Sequence, residues 1–205
     1  EHLTRNKLDS SYRRMSRSPS VLRRMTAAVY LGHMDTEIAV SGLQDLFIRE
    51  KKRIVRVYVA NGIFLQGNAE AIPYIVETLI GAPRWYIDKI QPILFDFGVA
   101  FFDFLPSILE REEVEIRGLI ANFAKIYVAE SLRERVLREV GSDHPDIRNA
   151  ALESLSTHYH RDLHSDRFTS SKDVEVLKVV IRALSLERTP GTVNSILDYL
   201  RFPEL

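Results

Sequence analysis

Apolar residues recur along this chain three and four positions apart, the spacing that puts them on one face of a helix. Val55, Val59 and Ile63 form one such stripe, and Ile116, Ile120 and Phe123 another. Gly32, Gly67 and Gly98 close three of the runs, where the left-handed turn that ends many helices suits a residue with no Cβ. Second helices follow. Ala71-Ile72-Pro73-Tyr74-Ile75-Val76-Glu77 aligns with Phe104-Leu105-Pro106-Ser107-Ile108-Leu109-Glu110, proline for proline and glutamate for glutamate. Proline is tolerated at a helix start because the donor it lacks would have no partner there. Residues 37–49, 131–140 and 192–200 supply further second helices, whereas 160–173 is polar and has no apolar period. The pattern predicts an all-α chain built of helix pairs.

The pairs repeat. Val55-Arg56 through Ala60 aligns with Ile116-Arg117 through Ala121 and with Ile147-Arg148 through Leu152, an aliphatic residue before arginine and a small or aliphatic one four later. Arg23-Arg24 through Ala28 is a weaker copy, and Ile87-Asp88 and Leu177-Lys178 are degenerate ones. The anchors at 24, 56, 88, 117, 148 and 178 are spaced 32, 32, 29, 31 and 30 residues apart. A fixed period of this length marks a stack of helical hairpins, each burying its apolar stripe against the next.

In these first-helix signatures and in the Ala-Ile-Pro-Tyr-Ile-Val-Glu type of second helix, residues 19–202 resemble the HEAT-repeat family. The resemblance implies a right-handed α-solenoid of about six HEAT-like hairpins in one domain, residues 19–205, with the fifth hairpin irregular. It also implies that Arg24, Arg56, Arg117 and Arg148 are structural, pairing with acidic or carbonyl groups of a neighbouring repeat. Ala28, Ala60 and Ala121 would let first helices approach closely. Second helices of such proteins usually line the concave face. There, two positions after the Ile75 register, stand Asp45, Glu77, Glu110, Arg138 and Asp198. The four acids form a candidate strip for a basic partner segment, with a solvated charged face as the plain alternative.

Charge adds a second layer. The 205 residues hold 28 basic and 28 acidic side chains and no cysteine. Neutrality argues against a protein whose main task is gripping nucleic-acid backbone, and the lack of cysteine excludes disulfides, thiolate metal sites and cysteine nucleophiles. The balance is uneven: residues 1–24 carry seven basic groups and two acidic ones, a net of +5, leaving −5 elsewhere. This basic lead-in, residues 1–18, reads either as a solvated, flexible end or as a juxtamembrane segment on the cytoplasmic side. The most apolar stretch, residues 93–109, is broken by Asp96 and Asp103 and is no membrane span.

Motifs for catalysis do not hold together. Asp96-Phe97-Gly98 and His160-Arg161-Asp162 spell kinase signatures in reversed order with no glycine-rich loop ahead of them. Gly62 and Gly67 have phosphate-loop spacing, but Asn68-Ala69 stand where Lys-Ser/Thr is needed. His158, His160, Asp162, His164 and Asp166 have helical pairs four apart; a polar loop is the simpler reading, and no metal or cofactor is assigned. Aromatic residues crowd 85–104 and are expected mostly to fill the core; adjacent Trp85 and Tyr86 point about 100° apart on a helix, which leaves room for one to face outward as a partner anchor.

These observations lead to a non-enzymatic scaffold that holds a protein or peptide on its concave surface, in the cytoplasm or at the cytoplasmic face of a membrane. Asp45, Glu77, Glu110, Asp198, Trp85 and Tyr86 are the candidate contacts. The alternatives are a HEAT-like enzyme resembling DNA glycosylases or bilin lyases, a metal-binding helical module, and a homodimer formed through the last helix (Ile196, Leu197, Leu200, Phe202).

Overall fold

The computed structural model describes residues 2–159, 162–163, 168, 173–187 and 196. Among them every regular element is helical. The chain divides into two compact units, Glu1–Ile116 and Arg117–Leu205.

In the first unit, α1 (His2–Met15) leads into α2 (Val21–Gly32) and α3 (Glu37–Arg49). Ser20 and Thr36 cap the latter two, each side-chain oxygen accepting the N–H three residues on. Helix α4 (Arg53–Leu65) ends in a Schellman turn, with Gly67 N–H donating to Phe64 O and Asn68 N–H to Ile63 O. Gly67 has φ 65° there, as its place after a periodic run predicts; Gly98, at φ 55° and ψ −121°, precedes α7 and is not a left-handed cap. A 3-10 turn (Ala69–Ala71) feeds α5 (Ile72–Glu77), and α6 (Arg84–Asp96), α7 (Val99–Phe102) and α8 (Leu105–Leu109) follow. Pro73 and Pro106 both occupy the first turn of their helices, as the alignment of the two segments requires.

Helix α4 packs on α2 and α6 on α4, while α3 packs on both α2 and α4. The α2–α4 approach is set by missing side chains. Gly32 is not a left-handed cap but the last, buried residue of α2. A Cβ on it would lie 2.6 Å from Gly62 Cα, and one on Gly62 would lie 2.8 Å from Ala28 O. Ala27, Ala28, Leu31, Val55, Val59 and Ala60 fill this seam with no solvent exposure.

The basic lead-in is helical and packs on α2 and α3. Tyr12 stacks on Tyr30 at 4.5 Å between centroids, and Arg49 Nη2 donates to Ser16 O and Oγ. Packing and charge pairing therefore dock a segment whose composition suggested a free end.

The dividing line falls within α9 (Val114–Phe123); α10 (Glu130–Glu139), α11 (Pro145–His158) and α12 (Val174–Glu187) follow. Helix α11 packs on α10 and on α12. Ala121, Ile147 and Ala150 form a buried cluster, beside which Ser154 Oγ donates to Ala121 O and Ala150 O. The segment after α11, where the irregular half of the fifth hairpin is expected, and the expected last helix, residues 192–200, fall mostly outside the described residues.

Three of the repeat anchors make the same contact. Arg24, Arg56 and Arg148 each donate to the carbonyl six residues earlier, in the connection leading into their helix: Ser18 O, Glu50 O and Ser142 O. Within each unit one residue joins two successive anchors. Glu50 takes Arg24 on its carboxylate and Arg56 on its carbonyl, and Ser142 takes Arg117 on its hydroxyl and Arg148 on its carbonyl. Arg117 also meets the buried Glu139, which pairs with the buried Arg135. The degenerate anchors Asp88 and Lys178 instead form exposed pairs along their own helices, with Arg84 and Glu175.

Candidate functional site

Two short apolar runs contain more apolar side chains than a helix can bury on one face. In Leu46-Phe47-Ile48 on α3, Leu46 and Phe47 go inward and Ile48 is left 74% exposed. In Ile72-Pro73-Tyr74-Ile75-Val76 on α5, Tyr74 is left 65% exposed. The two outward residues face a shared cleft of about 400 Å³, floored by Phe47, Ile63 and Ala71 and edged by Gln44 and Glu70. The floor is enclosed: Phe47 is 5% exposed, and the Arg56 guanidinium lies over its ring at 5.9 Å, a cation–π contact that ties it to the anchor network. Glu70 is exposed and has no ion pair among the described residues. The cleft thus offers an apolar seat for one side chain and a free carboxylate beside it.

The acids singled out in the sequence lie apart from this lining. Asp45 is half exposed and meets Arg13 Nη2 at 3.4 Å. Glu77, also half exposed, forms an ion pair with Arg111, which in turn binds Glu113. That hydrogen bonding holds the Glu113 carboxyl down at about 2. Glu110 is exposed at the end of α8, and Asp198 lies outside the described residues. Two of the four carboxylates therefore already have internal partners.

Trp85 and Tyr86 separate as their adjacency requires. Trp85 on α6 is 47% exposed, whereas Tyr86, expected among the partner contacts, is fully buried. Its phenol meets Thr78 Oγ1 at 2.9 Å, and burial pushes its pKa up against that hydrogen bond and the charges of Arg56 and Arg53. A residue so enclosed is a core residue, not a docking contact.

His158 and Asp162 do not converge on a metal. His158 Nε2 is 2.9 Å from Lys125 O, at the end of α11. Asp162 is held by Arg133 at 2.5 and 2.7 Å, which lowers its pKa. His160, His164 and Asp166 lie outside the described residues, and no group of three His, Asp or Glu side chains among the described ones could hold a metal ion. Gly62 to Gly67 is the carbonyl end of α4, the wrong polarity for cradling a phosphate. No helix among the described residues is long and apolar enough to cross a membrane.

Sequence reasoning missed Ile48, Glu70 and Tyr74. The signal was present in the overfull apolar runs, since a period of 3.6 cannot bury three consecutive residues on one stripe. Searches of protein-family models and of curated proteins found no match to this chain.

Proposed function

We propose that this protein is a HEAT-like helical scaffold without chemistry of its own, holding a protein or peptide segment against its second helices. The observation that carries this reading is the α3/α5 cleft, an apolar seat with a buried floor and exposed Ile48 and Tyr74 at its edge. Support for the repeat architecture comes from the successive packing of α2, α4 and α6 and from the register of the anchor arginines. The unpaired Glu70, with Asp45, Glu77 and Glu110 as outlying acids, favours a partner whose apolar side chain is flanked by Lys or Arg. A location at the cytoplasmic face of a membrane, reached through the basic α1 region, is the setting we propose for it.

Selection of a random peptide display library on the immobilised protein tests the reading. Enriched peptides should pair an aromatic or aliphatic residue with basic neighbours. Ile48→Asp and Tyr74→Asp should each weaken them about tenfold or more while leaving the melting temperature in place, because both side chains are exposed. Peptides that bind the two variants as tightly as the parent would place recognition elsewhere and remove the cleft from consideration.

A further inference from the structure

A second cleft, independent of the first, lies where α1 and α3 end and α4 begins. It encloses about 330 Å³ and gathers Arg17, Arg24, Arg49, Lys51 and Lys52 around a single carboxylate, Glu50. That carboxylate is already committed. Glu50 Oε1 accepts the N–H groups of Lys51 and Lys52 at 3.0 and 2.8 Å, Oε2 accepts Arg24 Nε at 2.5 Å, and the side chain is 4% exposed. Arg24 spends Nη1 on Ser18 O and Pro19 O. Arg49 is held by Ser16 and by Asp45 O. Arg17, Lys51 and Lys52 are exposed and have no ion pair among the described residues.

The cations crowd one another. Burial and the neighbouring Arg17 charge are the main causes that draw the Arg49 guanidinium below its ordinary value. Lys52 opens α4 with no side-chain hydrogen bond to the first turn, and of the backbone N–H groups Glu50 accepts only those of Lys51 and Lys52 ahead of it, so the positive end of this thirteen-residue helix is only partly offset. A pocket that gathers five cations around one committed carboxylate is relieved by an added anion. Guanidinium forks and ammonium groups suit tetrahedral oxyanions, and a dianion offsets more of this charge than a carboxylate can.

We propose that this cleft binds a phosphate monoester dianion, presented either by a soluble organophosphate or by a lipid headgroup. The chain as a whole is neutral, so affinity rests on the local cluster and falls with added salt.

Titration calorimetry of the full chain with inositol trisphosphate and with inorganic phosphate tests this, beside sedimentation with phosphatidylcholine vesicles containing phosphatidylinositol bisphosphate. Saturable binding of the trisphosphate is expected, weakened at least about tenfold in Arg17→Gln/Lys51→Gln/Lys52→Gln. These side chains hold nothing else, so the variant should melt like the parent; if it does not, Lys52→Gln alone gives the same readout. Vesicle binding that the soluble trisphosphate displaces assigns the ligand to a lipid headgroup, and trisphosphate binding without vesicle binding assigns it to a soluble organophosphate. No heat at millimolar ligand overturns the proposal, as do undiminished binding by the variants and vesicle binding that trisphosphate leaves in place. Equal binding to phosphatidylserine vesicles or to a DNA duplex also overturns it, because diffuse charge would then be the whole attraction.

Discussion

Glu50 combines several roles: its side chain is the partner of Arg24 and the acceptor for two backbone donors at the entry to α4, and its backbone carbonyl is the acceptor for Arg56. Burial alone would raise its pKa, but the hydrogen bonds from Arg24, Lys52 and Lys51 outweigh it and the net shift is downward. A carboxyl lowered in the folded state stabilises above its unfolded pKa, and that contribution is lost as pH falls through the folded value. Glu50→Gln is therefore expected to cost about 3 kcal/mol at neutral pH, since it leaves Arg24 without its buried counter-charge. In urea melts the gap between parent and variant should be full above about pH 5 and close on acidification; a pH-independent gap would show that packing, not charge, is responsible. The same residue scale separates Trp85 from Tyr86. Their adjacency on a helix required divergence, and the one that entered the core, Tyr86, has its phenol met there by Thr78.

At the scale of the element, the glycines distinguish contact from conformation. Gly62→Ala improves helix propensity yet drives a methyl against Ala28 O at 2.8 Å and Leu43 Cδ1 at 3.2 Å, so the α2–α4 seam must open. A loss of about 1–3 kcal/mol is expected. Gly118→Ala, in the interior of α9, meets only Ile147 Cγ1 at an ordinary 3.8 Å, and a gain of about 0.5–1 kcal/mol is expected from propensity alone. Denaturant melts of the two variants should thus move in opposite directions. Leu155 on α11 has no solvent exposure, and Leu155→Ala should lose about 2–5 kcal/mol as a core truncation. An unchanged midpoint there would mean that α11 is not packed as described. The helices themselves were legible in the sequence: α3 has the limits read from its periodicity, and α10 differs from its expected span by one residue at each end. The role of Gly32 was not, because a buried glycine at a helix crossing and a glycine cap look alike along the chain.

For the molecule as a whole, Gly62 and Leu155 belong to different compact units, so their destabilisations should add to within about 0.5 kcal/mol in the double variant. A shortfall beyond that would mean that the two sites are energetically coupled. Neutral net charge likewise conceals local structure: a free carboxylate edges one cleft of the first unit and a cluster of cations lines another. The two proposals stand on different residues and different chemistry, so peptide selection and phosphate titration can succeed or fail independently.

Periodicity by itself determined that the chain is helical, where most of its first and second helices run, and which arginines recur at one register. Those features depend on residues close in sequence, and an amphipathic stripe or a proline at a helix start states them locally. Only the tertiary structure decided that Glu77 is paired with Arg111, that Tyr86 is buried, that α1 is docked, and that Ile48 and Tyr74 face one cleft while Arg17, Arg49 and Lys52 face another. Each of these depends on which distant segments meet, and charge or apolarity read along a chain does not say whether a side chain's partner will be water or another part of the protein.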